Sequence, residues 1–290
     1  MYALKMSGVS FVYEGAEGHA LDDISVSIDE GEFVTVLGAN GAGKTTLAML
    51  SNGLIPHAIK GTLEGSVKVF GYDISKHTVA QLSTLVGMVF QEPESQLFCM
   101  SVEEEVAFGP ENLAIPRDEL FKRVEWALDL VGLKGLNERS PATLSGGQKQ
   151  RLAIAAALAM RPKMLVLDEP AYALDPVGRI ELYALLRSLT EKHGMAVLLM
   201  DRDSENILEF SDKVVLMNSG RILTVAPPSE ILRDIRNFRA IRVPPPQIFE
   251  IASLLNSRLT GVDFSFTTLD EAEAELLSRV PSLPRRGDTR

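Results

Sequence analysis

Phe33-Val34-Thr35-Val36-Leu37-Gly38-Ala39-Asn40-Gly41-Ala42-Gly43-Lys44-Thr45-Thr46 decides the fold. The first five residues are almost wholly apolar and rich in β-branched side chains, so they read as a fully buried strand. Glycine then stands at the first and sixth places of a phosphate-binding loop pattern that closes on Lys44 and Thr45. The glycines let the backbone curl so that successive N–H groups face phosphate oxygens, and a following helix would add its positive N-terminal end. Lys44 would reach the outer phosphates and Thr45 would hold Mg²⁺, making Gly38, Ala39, Asn40, Gly41, Ala42, Gly43, Lys44, Thr45 and Thr46 the candidate ATP-binding loop.

Upstream, Ile24, Val26 and Ile28 alternate with polar residues as a half-buried strand does, and Glu30-Gly31 turns the chain into the buried run. Downstream, short apolar runs recur at Val86 to Phe90, Met164 to Leu167, Val197 to Met200 and Lys213 to Leu216. Stretches of helical spacing lie between several of them, which predicts an α/β fold with a parallel sheet covered by helices. From about 92 to 160 the pattern is helical, with Leu120, Val124, Ala127, Leu128 and Val131 on one stripe, so a helical subdomain is expected to interrupt the sheet. The core is expected to span 1–227. Beyond it, Pro244-Pro245-Pro246 leads into two expected helices, near Gln247 to Asn256 and Leu269 to Ser278, in a small C-terminal appendage over 228–290.

The 290-residue length suits one large domain with such an appendage. A net charge of −10, spread along the chain, disfavours nucleic acid as a partner. Arg285, Arg286 and Arg290 read as a solvated terminus. The single cysteine, Cys99, rules out an internal disulfide framework, suits a reducing cytosol and is expected to serve packing. No apolar run approaches the ~20 residues that cross a bilayer, and Met1 to Ser10 lacks a signal-peptide core. Any work at a membrane would therefore need another chain to hold this one there.

The run Met164-Leu165-Val166-Leu167 ends in Asp168-Glu169-Pro170, placing two acids at a strand's C-terminal end, where open parallel sheets bind ligands. Asp168 is the candidate Mg²⁺ ligand, directly or through water. Glu169 is the candidate group that polarises the water attacking the γ-phosphate.

Leu144-Ser145-Gly146-Gly147-Gln148 resembles the signature of the ABC ATPase family, and the resemblance extends over about residues 2 to 225. It implies a P-loop NTPase with an antiparallel β subdomain, a parallel-sheet core and an inserted helical subdomain. Ser145, Gly146, Gly147 and Gln148 would face the ATP held by a second ABC ATPase subunit, identical or different, since a serine and two glycines at a helix tip form an anion nest. Gln91 resembles the Q-loop glutamine, which contacts Mg²⁺ or water and relays nucleotide state to a membrane subunit. Tyr13 resembles the aromatic that stacks on adenine, burial at the sheet edge being the other reading, and Asp175 resembles the D-loop aspartate linking two sites.

One position departs from the family. Where a switch histidine usually contacts the γ-phosphate, the chain has Asp201-Arg202-Asp203, and its histidines at 19, 57, 77 and 193 cannot supply the missing group. Arginine can donate to phosphate but cannot accept a proton. Two outcomes stay open: slow hydrolysis at this chain's own site, or adequate substitution by Arg202. Ala171-Tyr172 also departs from the usual small polar pair.

Phe90-Gln91-Glu92-Pro93, Val106-Ala107-Phe108-Gly109-Pro110, Arg242-Val243-Pro244-Pro245 and Leu269-Asp270-Glu271-Ala272 resemble the ATPases of energy-coupling-factor transporters for vitamins and metal ions. That resemblance implies a peripheral protein on the cytoplasmic face, working with an integral membrane transporter subunit and a substrate-binding membrane component. The appendage would either pair protomers or cap apolar surface of the core. A soluble non-transport ABC ATPase and a regulatory ATP-binding subunit are the alternatives.

Overall fold

The computed structural model describes the chain except for residues 173, 206, 233, 260–262, 267 and 280–290, with backbone alone at 207 and 208. Arg285, Arg286 and Arg290 lie outside the described residues. Among the described residues ten strands form two sheets: β1 (Tyr2–Tyr13), β2 (Leu21–Asp29), β3 (Phe33–Leu37), β4 (Gly61–Val69), β5 (Tyr72–Asp73), β6 (Val86–Val89), β7 (Met164–Asp168), β8 (Ala196–Asp201), β9 (Lys213–Asn218) and β10 (Arg221–Ala226).

The larger sheet runs β10-β9-β3-β8-β7-β6, parallel except for the antiparallel edge pair β10 and β9. The smaller, antiparallel sheet runs β2-β1-β4-β5. Strand β3 explains its own apolar run. Phe33 and Leu37 pack into a core shared with the helices, while Val34 and Val36 pack into a second core with Leu4, Phe11 and Ile24 of the small sheet. A strand covered on both faces has no polar side to expose, so alternation disappears. The one polar member, Thr35, is buried with its hydroxyl 2.6 Å from that of Ser211.

Register then fixes the site. Leu37 pairs with Asp201, and Asp168 pairs with Met200, so β3, β7 and β8 end at one edge of the sheet. The loops leaving those ends begin at Gly38, Glu169 and Arg202, in the crevice where open α/β sheets place ligands.

Between β6 and β7 lie the helices Val102–Asn112, Arg117–Leu130 and Gly146–Ala159. The expected stripe of Leu120, Val124, Ala127 and Leu128 is buried. Ser101 and Glu104 start the first helix with a reciprocal capping box. Cys99, expected to serve packing, is instead only half-buried in the turn ahead of that helix, between exposed Phe98 and Met100. Its backbone N–H donates to Glu105 Oε2 at 2.8 Å, and Phe98 beside it packs edge-on against Phe108, so a carboxylate and a neighbouring ring fix this turn.

After β10, Phe238, Ile241 and Val243 join the core shared with the helices. The helices Gln247–Arg258 and Leu269–Arg279 build a small cluster of their own from Ala252, Phe264, Phe266 and Ala272. Between them the chain is tied to the sheet's ligand edge. Ala39 N–H donates to the Ile241 carbonyl at 3.2 Å, Ser204 Oγ to the Pro244 carbonyl at 2.6 Å and Asn218 Nδ2 to the Ala240 carbonyl at 3.0 Å. Among the described residues no helix is long and apolar enough to cross a membrane.

Candidate nucleotide site

Two glycines are required by the curl after β3. A Cβ on Gly38 would lie 2.5 Å from the Met217 carbonyl oxygen, and Gly43, at φ 102°, has the Ala20 carbonyl oxygen 2.6 Å from where its Cβ would stand. The helix Lys44–Ser51 starts directly on Gly43, and no side chain caps its first N–H groups. Those donors and the positive helix end are thus available to an anion. Asn40 to Thr46, with Tyr13, Ala20, Gln91 and Glu169, line a cavity of about 410 Å³.

Lys44 is buried, with Nζ donating to the carbonyls of Gly38 at 2.8 Å and Ala39 at 3.2 Å and lying 3.3 Å from Glu169 Oε1. Thr45 Oγ1 donates to Asp168 Oδ2 at 2.6 Å. Burial raises the Asp168 carboxyl above its ordinary range, although the Thr45 bond pulls the other way. A hydroxyl and a carboxylate this close form the hard-oxygen pair that Mg²⁺ accepts beside phosphate oxygens, so the residues present fit that ion.

Glu169 follows at φ 45°, a conformation uncommon outside glycine that concentrates at functional sites. Its N–H donates to the Met200 carbonyl at 2.9 Å, which pins the turn to β8. Three donors then meet its carboxylate: Lys44 at Oε1, and at Oε2 both Gln91 Nε2 at 3.3 Å and Arg202 Nε at 3.4 Å. Tyr13 is half-buried, edge-on to Phe11, with its hydroxyl 2.9 Å from Thr46 Oγ1.

The fold brings Tyr13, the loop of residues 38–46, Gln91, Asp168, Glu169 and Arg202 together. It does not bring in Ser145, Gly146, Gly147, Gln148 or Asp175. Ser145 and Gln148 cap the helix Gly146–Ala159 reciprocally, with Ser145 and Gly146 exposed. Asp175 caps the helix Pro176–His193, accepting from Gly178 N–H at 2.7 Å.

Sequence reasoning missed a polar layer behind the arginine. Arg179 Nη1 pairs with Asp203 Oδ2 at 2.6 Å, and Tyr183 donates its hydroxyl to buried Asp201 at 3.1 Å. Asp201 Oδ1 accepts the N–H groups of Arg202 and Asp203, shaping the loop that carries the arginine. The acid at the end of an apolar strand was the available signal. Arg179 and Tyr183 gave none, since helical spacing alone does not say which distant strand they will meet.

Burial pushes the Asp201 carboxyl up to about 6, against the hydrogen bonds from Asp203 and Arg202. A raised folded-state value means the native state binds the extra proton between about pH 4 and pH 6, so the charged form costs stability as pH rises through that window. Asp201→Asn should therefore gain on the parent chain between those pH values, by about 2 kcal/mol at most. Urea midpoints of the two proteins, measured across the range, check this; a constant difference would refute it.

Comparison with known proteins agrees with this geometry. Residues 21–172 match the ABC transporter family model. A putative ABC transporter ATP-binding protein of Pyrococcus abyssi is 42% identical over 89% of this chain and 92% of its own. The energy-coupling factor transporter ATP-binding protein EcfA2 of Caldanaerobacter subterraneus is 38% identical over 94% of this chain and 96% of its own. Among solved structures, cbiO1 of Clostridium perfringens, described as part of the ABC transporter complex cbiONQ, superposes with a TM-score of 0.74 at 34% identity, covering 87% and 99%. A dimeric ATP-binding cassette in a post-hydrolysis state with ADP and Pi matches with a TM-score of 0.69 at 28% identity, covering 78% and 98%. With a phosphate loop, an acid-ended β7 and a glutamine converging as they do, and with relatives matched over nearly their whole length, the chain belongs to the ABC transporter ATPases, of energy-coupling-factor type.

Proposed function

We infer that this chain binds Mg-ATP on residues 38–46 and works as the slower member of an ATPase pair driving an importer of a vitamin or metal ion. The observation that carries the reading is the meeting of Lys44, Gln91 and Arg202 on the Glu169 carboxylate beside the phosphate loop. Thr45 and Asp168 would hold Mg²⁺, whose bound charge would offset that of the phosphates. Glu169 would orient and polarise the attacking water once Lys44 turns to the triphosphate.

Ser145 to Gln148 and Asp175 stand apart from this cavity, which is the arrangement of a site that another cassette completes. The dimeric form of a 28% identical cassette supports the same pairing. The relative described as part of an ABC transporter complex supports membrane partners for this chain. The exposed face of Ile251 and Leu254 on the helix Gln247–Arg258 supports a pairing role for the appendage.

Slow turnover is argued from Arg202. Without nucleotide its guanidinium lies on the candidate base, and once drawn to the phosphates it can donate hydrogen bonds but, unlike a histidine, cannot accept a proton there. Arg202→His in the assembled transporter is expected to raise phosphate release from this site by about tenfold, equivalent to ~1.4 kcal/mol in the barrier. No gain would mean that arginine substitutes adequately. Failure to co-purify with a hydrophobic integral subunit would favour a non-transport ATPase, and failure of any variant to turn over would favour a regulatory ATP-binding subunit.

A further inference from the structure

Tyr172 is 57% exposed, which gives a large aromatic side chain little packing reason to be there. Its N–H donates to the Glu169 carbonyl at 3.2 Å, closing the turn that follows β7. The ring is thereby held next to the site, and the Arg202 guanidinium carbon lies 4.8 Å from its centroid. The same arginine keeps Nε 3.4 Å from Glu169 Oε2. Stacking on an aromatic ring uses the face of a guanidinium and leaves the N–H donors at its edge free.

An arginine in a loop has much rotamer freedom to lose before it can hold a fixed contact. Asp201 sets the backbone of that loop, and its carboxylate meets N–H groups of the main chain rather than the guanidinium. Among the described residues, the Glu169 contact and the Tyr172 ring are what act on the side chain of Arg202 itself. A triphosphate that drew Arg202 away from Glu169 would leave the ring as its remaining guide.

We propose that Tyr172 is a positioning residue for nucleotide discrimination, holding Arg202 edge-on to the terminal phosphate of a nucleoside triphosphate. The inference rests on the reading that the loop of residues 38–46 takes Mg-ATP. A diphosphate lacks the γ-phosphate that Arg202 would meet, so Tyr172 should matter for one nucleotide and not for the other.

The test is calorimetry on the full chain with Mg²⁺ and either a non-hydrolysable ATP analogue or ADP. Tyr172→Ala should weaken the triphosphate about two- to fivefold, the range of an exposed cation–π contact, with ADP affinity unchanged. Tyr172→Phe, which keeps the ring, should restore the ratio. In an Arg202→Ala background, Tyr172→Ala should add nothing further. Equal weakening of both nucleotides, or an unaltered ratio, overturns the positioning role while leaving the nucleotide site in place. Absence of binding by either nucleotide to the parent chain overturns both.

Discussion

Glu169→Gln is expected to lower phosphate release at this chain's site about 100-fold or more while leaving Mg-ATP binding within a factor of about two or three. The amide keeps the shape of the carboxylate and one oxygen, which can still accept from Gln91 and Arg202, while its NH₂ takes the side of Lys44, a contact that Lys44 gives up on turning to the triphosphate, so binding should survive. What it loses is basicity, and a positioned base accounts for roughly 10²- to 10⁴-fold in rate. On the proposed role of Arg202, the effect should be largest in an Arg202→His background. Single-turnover phosphate release from the assembled transporter, alongside nucleotide affinity, separates the two quantities. Undiminished release with Gln at 169 would remove Glu169 from the chemistry.

Lys44→Ala should weaken Mg-ATP about 100-fold. A charge-assisted contact contributes about 1.5–3 kcal/mol, and each ~1.4 kcal/mol is a factor of ten in affinity. The buried amine donates to two loop carbonyls and faces Glu169, so in the nucleotide-free chain it also shapes the loop. Glu169 would still meet Gln91 and Arg202, which argues against wholesale unfolding of the variant. Calorimetry with a thermal-unfolding control checks both points, and unchanged affinity in folded material would place the triphosphate elsewhere.

Much of this site was legible because local pattern and chemistry coincide in it. Phe33 to Thr46 announces strand, loop and helix in unbroken order, and Asp168-Glu169 closes an apolar run that could only be a buried strand end. The small sheet was harder. Strand β1 pairs with both β2 and β4 but shifts register between Met6 and Val9 and again between Ser7 and Ser10, so strict alternation fails across it. Strand β4 is exposed along most of its length and carries little apolar signal. The contacts of Arg179, Tyr183 and Tyr172 depend on which loops the sheet register brings side by side, and no local spacing encodes that. Arg202 was legible only as a departure from the family; that its guanidinium would lie over the Tyr172 ring was not.

The ties from Ala39, Ser204 and Asn218 to the carbonyls of Ile241, Pro244 and Ala240 make residues 240–246 a seam rather than a linker. One stitch holds the start of the phosphate loop, another the loop that carries Arg202, and Gln247 N–H adds a fourth through Glu205. A cut ahead of Phe238 would open the main core, whereas one after the proline run would lose the Gln247 stitch and leave the other three sewn. The tail is thus fastened both to the phosphate loop and to the loop that carries Arg202, so pulling it away would mean breaking hydrogen bonds to each.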